Sequence, residues 1–196
     1  MSRPITFYFD FRSPYSYLAS TQLPALAART GSEVTYTPID VLEVMKLVGN
    51  SPTTITSAVK GRYAGADLRR WAARYGAPFG RNPNIGAADA VGLLAGAAAA
   101  AALGEAPAYT TAVFTAAWAG TAPLAADAEL AVVLADGGVK QVAAILAGRE
   151  AGRATVAANV KAAAEAGVFG APSFITGGEL FFGNDRLDFL AEALAA

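Results

Sequence analysis

The sequence of 196 residues contains no cysteine and no histidine, and these two absences exclude whole classes of chemistry. Without cysteine the chain can form neither a disulfide bond nor a thiolate metal site. Without histidine it lacks the commonest metal ligand and the general base of Ser-His-Asp hydrolases. Any chemistry in this chain must therefore use hydroxyl groups, lysine, carboxylates, backbone groups or a bound small molecule.

Charge is also scarce. Charged residues make up 16% of the chain, the net charge is -1, and the basic residues are scattered, so we expect no nucleic-acid partner and no basic membrane-binding patch. Segments 90–104 and 106–126 carry no charge at all. The first is shorter than the roughly 20 residues that a membrane span needs, and Pro107 and Pro123 make the second a poor lipid-facing helix. We therefore expect buried helices and no membrane contact.

A secretion signal is not indicated at the N-terminus. The chain reaches Asp10 before it has formed the apolar core of a signal peptide. The expected location is therefore cytoplasmic.

The most informative segment is FYFDFRSPYSYLA, from Phe7 to Ala19. An apolar strand is followed by Ser13, a strong helix N-cap residue, and by Pro14, which belongs at the first helical position. Ser13 and Ser16 stand at the spacing of a C-x-x-C redox motif but carry hydroxyl groups instead of sulfur. Because a helix N-terminus attracts anions, a serine there can hold the thiolate of another molecule. The pattern indicates an enzyme that borrows a thiol cofactor.

The order of elements along the chain predicts the fold. A strand over 4–10, a helix over 14–29 that Pro24 kinks or splits, and a strand over 33–40 form a βαβ unit with parallel strands. Helical sequence follows to about residue 166, interrupted near 49–52, 76–83, 104–107 and 120–123. Strands over 173–176 and 179–182, joined by a Gly-Gly turn, precede a last helix. We expect an α/β thioredoxin-like fold (βαβ…ββα) interrupted by a large all-helical insertion, with residues 1–43 and 167–196 in the thioredoxin-like domain and 44–166 in the insertion.

The chain resembles a known family. The N-terminal segment quoted above, the segment GVFGAPSFITGGELFFGNDRLDFL (Gly167 to Leu190) and the order of elements between them resemble the 2-hydroxychromene-2-carboxylate isomerases. These enzymes are bacterial relatives of the kappa-class glutathione transferases within the DsbA-like thioredoxin superfamily. The resemblance spans nearly the whole chain.

The resemblance implies roles for three residues around the cofactor sulfur. Ser13 matches the catalytic serine, whose hydroxyl hydrogen-bonds the sulfur of glutathione. Pro172 matches a cis-proline that faces it, and Ala171 offers backbone groups to the cysteinyl part of glutathione. On the residues alone, Ser13 can also be a plain N-cap and Pro172 a proline at a strand edge.

Four further residues are implied in holding the ends of the cofactor. Asn184 and Asp185 match the loop that grips the γ-glutamyl end, and both are also expected to cap the last helix. Asn50 and Lys60 would serve the remaining polar groups of the tripeptide. On the residues alone, Lys60 can equally be a solvated lysine on a helix surface.

The family reaction is the reversible conversion of 2-hydroxychromene-2-carboxylate to trans-o-hydroxybenzylidenepyruvate, a small aromatic catabolite, with glutathione regained at the end. A thiolate that adds to a conjugated double bond makes it single, allows rotation and then leaves. The expected cofactor is glutathione or another low-molecular-weight thiol.

Two other functions stay open from the sequence. A kappa-like transferase or peroxidase would use the same cofactor but consume it, whereas a non-catalytic thioredoxin-like binding protein would bind no thiol. A disulfide oxidoreductase is excluded because the chain has no cysteine. The alanine-packed insertion could also support a homodimer.

Overall fold

The computed structural model describes residues 3–195, so the first two residues and the last residue of the predicted thioredoxin-like domain lie outside the described residues. It contains a four-stranded mixed sheet surrounded by helices. The strands are β1 (Ile5–Phe9), β2 (Val34–Pro38), β3 (Ser173–Thr176) and β4 (Glu179–Phe182). The helices are α1 (Pro14–Thr30), α2 (Val41–Leu47), α3 (Thr53–Thr56), α4 (Ala58–Tyr75), α5 (Ala90–Ala102), α6 (Ala106–Trp118), α7 (Asp127–Asp136), α8 (Val142–Ala147), α9 (Arg149–Glu165) and α10 (Leu187–Ala195). Short 3-10 turns cover Ile85–Ala87 and Asn184–Arg186.

The sheet confirms the predicted topology. Its strand order is β2-β1-β3-β4, with β1 and β2 parallel and the other pairs antiparallel. The hairpin between β3 and β4 turns at Gly177 and Gly178. Both have a positive φ (58° and 83°), which residues other than glycine rarely adopt. The thioredoxin-like fold interrupted by helices is therefore present as expected.

Helix α1 begins and ends where its sequence signals predict. Ser13 caps its N-terminus, and Gly31 ends it with φ of 63°, in the left-handed region. Pro24 lies inside the helix, which continues through it, so of the two expected effects the split is absent. Because Pro24 is exposed, the carbonyl that loses its hydrogen-bond donor lies on the solvent side of the helix.

The helical segments pack directly on the sheet. One apolar core runs from β1 into α6, where Phe11 contacts Phe114 with ring centroids 4.8 Å apart. Helix α5 is buried along most of its length. On the other face of the sheet, Val160 of α9 packs in a smaller cluster with Tyr8 and Ile39. Within the described residues, no helix is long and apolar enough to cross a membrane.

Candidate functional site

Ser13 stands at the N-terminus of α1, half-buried and in contact with the segment before β3. Its Oγ accepts a hydrogen bond from the Ser16 backbone N–H at 3.1 Å, as an N-cap does. The same hydroxyl donates to the carbonyl of Ala171 at 3.0 Å, across 158 residues of sequence. The structure thus brings Ser13 and Ala171 together.

A buried carboxylate fixes the turn that carries Ser13. Asp10 is fully buried and accepts hydrogen bonds from the Arg12 backbone and guanidinium and from the Val41 N–H. The Arg12 guanidinium also donates to Asp40, the N-cap of α2, at 2.5 Å. Burial opposes the charge of Arg12, but the hydrogen bonds and charges of Asp10 and Asp40 outweigh it and raise the pKa of the guanidinium. Sequence reasoning missed this network, because Asp40 and Val41 are distant from Asp10 along the chain.

The peptide bond between Ala171 and Pro172 is cis, as the resemblance implies. The carbonyl of Pro172 accepts a hydrogen bond from the Gly183 N–H at 2.9 Å. Gly183 has a φ of 103°, where a side chain would be strained, and it turns the chain from β4 into Asn184. The loop that carries Asn184 therefore lies beside the cis-proline.

Asn184 and Asp185 lie in the 3-10 turn before α10, and they differ in exposure. Asn184 is 2% exposed, its carbonyl accepts a hydrogen bond from the Tyr75 hydroxyl at 2.7 Å, and its Nδ2 has no partner within the described residues. Asp185 is exposed and pairs with Arg186 at 2.8 Å. Gly183 stands at the N-cap of the 3-10 turn, and no side chain among the described residues caps the turn there.

Asn50 and Lys60 lie further along the surface. Asn50 is exposed in the loop between α2 and α3, and its Nδ2 donates to the carbonyl of Phe169 at 2.8 Å. This bond joins the loop to the segment that leads into Ala171. Lys60 stands exposed in the first turn of α4 and forms no ion pair within residues 3–195. Asn50 is thus joined to the site by hydrogen bonding, whereas Lys60 has no such contact.

Two further groups beside Ser13 were not singled out as site residues from the sequence. The Tyr15 hydroxyl donates to Asp67 Oδ2 of α4 at 3.0 Å, and burial, followed by the bond and charge of Asp67, raises the pKa of Tyr15. Ser16 is fully buried, and its Oγ has no hydrogen-bond partner within the described residues. An aromatic residue facing a carboxylate 52 positions away leaves no local sequence signal.

Comparisons with known proteins agree with this architecture. The sequence model of the DSBA-like thioredoxin domain matches residues 4–195. A protein of Sphingobium xenophagum named 2-hydroxychromene-2-carboxylate isomerase is 36% identical over 196 residues, covering 99% of each chain. A Pseudomonas putida protein of the same name is 36% identical and covers 97% of this chain and 93% of its own.

Solved structures give the same assignment. The structure of a 2-hydroxychromene-2-carboxylate isomerase superposes with a TM-score of 0.85 at 34% identity, covering 97% of this chain and 94% of that one. The cytosolic disulfide reductase DsbM from Pseudomonas aeruginosa with GSH shares the fold, with a TM-score of 0.68 at 20% identity, covering 98% of this chain and 100% of that one. The chain therefore belongs to the 2-hydroxychromene-2-carboxylate isomerase family, within the DSBA-like thioredoxin domains.

Proposed function

We propose that this protein is an isomerase that interconverts 2-hydroxychromene-2-carboxylate and trans-o-hydroxybenzylidenepyruvate with glutathione as its thiol cofactor. The names of the full-length relatives support the reaction. The observation that carries the cofactor is the position of Ser13, whose hydroxyl lies at a helix N-terminus and 3.0 Å from the carbonyl before a cis-proline. A chain with no cysteine has no thiol of its own, so a thiol nucleophile for such a reaction has to come from a bound molecule.

Three of the polar side chains that the resemblance assigns to the cofactor suit a thiol tripeptide. Asn184 carries a buried amide nitrogen that has no partner among residues 3–195, and such a group can acquire one from a ligand after a small shift. Asp185 offers an exposed carboxylate to an ammonium group, and Lys60 offers an exposed ammonium to a carboxylate. Glutathione carries both of these charges together with amide groups.

A bound thiol supplies reversible addition to a conjugated double bond, which permits rotation about that bond. Ser13 lowers the pKa of the sulfur because its hydroxyl donates a hydrogen bond to the charged form. The N-terminus of α1 acts in the same direction, since its partial positive charge attracts an anion. Free thiols have a pKa of about 8.5, and each unit of lowering is worth about 1.36 kcal/mol.

Ser13 can exchange hydrogen-bond partners without moving its backbone. A serine hydroxyl is a single donor that rotates to suit its acceptor, and here it serves the carbonyl of Ala171. A thiolate beside Ser13 is a charged acceptor and therefore competes well with that neutral carbonyl. The Ala171 carbonyl is then free to accept from an N–H group of the cofactor.

The test is calorimetric titration with glutathione, together with the pH dependence of thiolate ultraviolet absorption in the complex. We expect the wild type to bind glutathione and to lower the pKa of its thiol, and Ser13→Ala to give a higher thiol pKa. Ser20→Ala is the matched control, because Ser20 also lies in α1 but its hydroxyl donates to the Tyr17 carbonyl of its own helix.

Three results would contradict the proposal. Absence of glutathione binding would contradict the assignment of glutathione as the cofactor. Equal thiol pKa values in wild type and Ser13→Ala would contradict the role of the serine. Stoichiometric loss of glutathione during turnover would replace the isomerase with a transferase.

A further inference from the structure

Two phenylalanines stand exposed and in contact with each other beside the cis-proline. Phe169 is 38% exposed and Phe182 is 41% exposed. Their ring centroids are 4.5 Å apart and their planes are inclined by 49°. A single exposed apolar residue is ordinary, whereas two exposed aromatic side chains in contact form an apolar patch of the kind that marks a binding site.

Phe169 lies close along the chain to the residue that Ser13 contacts. Phe169 precedes Ala171 by two residues, so their Cα atoms are at most about 7 Å apart. The Ala171 carbonyl in turn accepts the hydroxyl of Ser13 at 3.0 Å. The pair therefore adjoins the backbone segment that Ser13 contacts.

Several contacts hold the pair in place. Phe182 is the last residue of β4, where it pairs with Ser173. Its ring packs on the backbone of Gly170 so closely that a Cβ at Gly170 would lie 2.7 Å from the ring. The carbonyl of Phe169 accepts from Asn50 Nδ2 at 2.8 Å. The exposed rings are thus fixed by the sheet, a glycine and a loop.

We infer that Phe169 and Phe182 form the surface on which the planar aromatic part of the substrate rests while its double bond is presented at Ser13. This inference rests on the proposed function, because it assigns substrate-binding residues to that site. Aromatic rings attract other aromatic rings in tilted and offset arrangements beyond the gain from apolar burial. The pair therefore selects flat unsaturated ligands over saturated ones of similar size.

The first experiment measures binding without catalysis. Thiol-free protein is titrated with 1-naphthoate and with decahydro-1-naphthoate, a saturated carboxylate of similar size. We expect the wild type to prefer the aromatic probe, and Phe182→Leu and Phe169→Leu to reduce that preference by about two- to tenfold, the usual range for one aromatic contact. Thermal unfolding of each variant verifies that it is folded.

Two variants serve as comparisons. Phe189→Leu changes a phenylalanine of α10 that is 54% exposed and is expected to leave the preference unchanged. Tyr63→Leu changes an exposed aromatic side chain of α4. Loss of the preference in Tyr63→Leu with retention in both Phe169 and Phe182 variants would overturn the inference and place the aromatic surface on α4.

The second experiment separates this inference from the proposed function. With 2-hydroxychromene-2-carboxylate as substrate, Phe182→Leu is expected to raise KM severalfold while kcat and the Kd of glutathione change by less than about twofold, since the contact removed is made equally in the ground state and the transition state. If Phe182→Leu and Phe169→Leu both turn over substrate with the KM and kcat of the wild type, the aromatic surface is overturned and the isomerase function is retained. Selective naphthoate binding without any turnover would support the surface and overturn the isomerase.

Discussion

The hydroxyl of Tyr15 donates a hydrogen bond to Asp67 Oδ2 at 3.0 Å and thereby ties the residue two positions after Ser13 to helix α4. Burial raises the pKa of Tyr15, and the bond and charge of Asp67 raise it further. Lys60 precedes Asp67 by seven residues, which places it on the same face of α4 and about 10 Å along the axis. The Tyr15–Asp67 bond therefore fixes where Lys60 stands relative to Ser13.

Loss of this bond is expected to weaken glutathione binding. Tyr15→Phe and Asp67→Ala should each raise the Kd of glutathione severalfold, because the hydrogen bond that holds α4 in position against the start of α1 is lost. Asp67→Asn should stay near wild type, since its side-chain oxygen still accepts from Tyr15. Calorimetry on the three variants and on the double variant Tyr15→Phe/Asp67→Ala measures the coupling.

The pattern across these variants distinguishes position from charge. If the negative charge of Asp67 is what matters, Asp67→Asn will resemble Asp67→Ala and Tyr15→Phe will resemble wild type. Additive losses in the double variant would show that the two residues act separately. Either pattern contradicts a positioning role for the bond.

Tyr75, the last residue of α4, holds the loop that carries Asn184. The Tyr75 hydroxyl donates to the Asn184 carbonyl at 2.7 Å, and burial, the leading cause, raises the pKa of Tyr75. Tyr75→Phe is expected to weaken glutathione binding about three- to tenfold, the usual effect of one lost hydrogen bond. Cysteinylglycine lacks the γ-glutamyl group and should bind wild type and Tyr75→Phe equally. Calorimetry with both thiols measures this difference, and equal losses for both would contradict the role.

Local sequence signals predicted the elements that depend on a few adjacent residues. The bounds of β3 and β4 and the Gly177–Gly178 turn agree with the prediction, because the sequence signals of a hairpin lie within the residues that form it. The helix breaks near Gly49, Gly76, Gly104 and Gly120 are also present. Three breaks were missed, at Ser57, around Gly138 and at Gly148. Whether a helix continues through such a position depends on tertiary packing, which cannot be inferred from composition.

The site could be predicted only in part for a similar reason. Ser13 carries a local signal, the Ser-Pro helix start, whereas Asn50, Lys60, Ala171 and Asn184 entered through the resemblance. The connections that join these parts cross long stretches of chain, as from Tyr15 to Asp67 or from Asn50 to Phe169. One sequence does not specify such pairs, because many tyrosines and amides could serve each acceptor.

The N-cap of α5 gives the fold a dependence on pH. Asp89 Oδ1 accepts from the Gly92 N–H, which is the main cause of a lowered pKa, while burial opposes it and Arg153 adds a weaker effect in the same direction as the cap. A carboxyl with a lowered pKa stabilises the fold above its unfolded pKa and loses that effect as pH falls through its folded pKa. Acid should therefore reduce the advantage of wild type over Asp89→Ala, which at neutral pH is about 1 kcal/mol for such a cap.

Urea unfolding of both proteins between pH 3 and pH 7 measures this advantage. Asp89→Asn is the matched control, because asparagine also caps helices but does not titrate. A constant difference between wild type and Asp89→Ala across this range would contradict the role of the ionised cap.

The packing of α5 against α9 depends on a glycine that has no room for a side chain. A Cβ at Gly152 would lie 2.1 Å from the carbonyl oxygen of Ala95, and because that atom is backbone, the two helices would have to separate. Overpacking of this kind usually destabilises by about 1–3 kcal/mol, which exceeds the helix-propensity gain of about 1 kcal/mol. Gly152→Ala should therefore lower the urea midpoint.

Gly65 of α4 provides the opposite case within the same chain. Within the described residues, a Cβ there meets no atom within 4 Å beyond its chain neighbours and the nearby backbone of α4, so Gly65→Ala should gain helix propensity without a clash and raise the urea midpoint. The two substitutions are chemically identical and differ only in what surrounds the new methyl group. A midpoint raised by both would show that α5 and α9 can separate at little cost, and the close contact at Ala95 would then not limit stability.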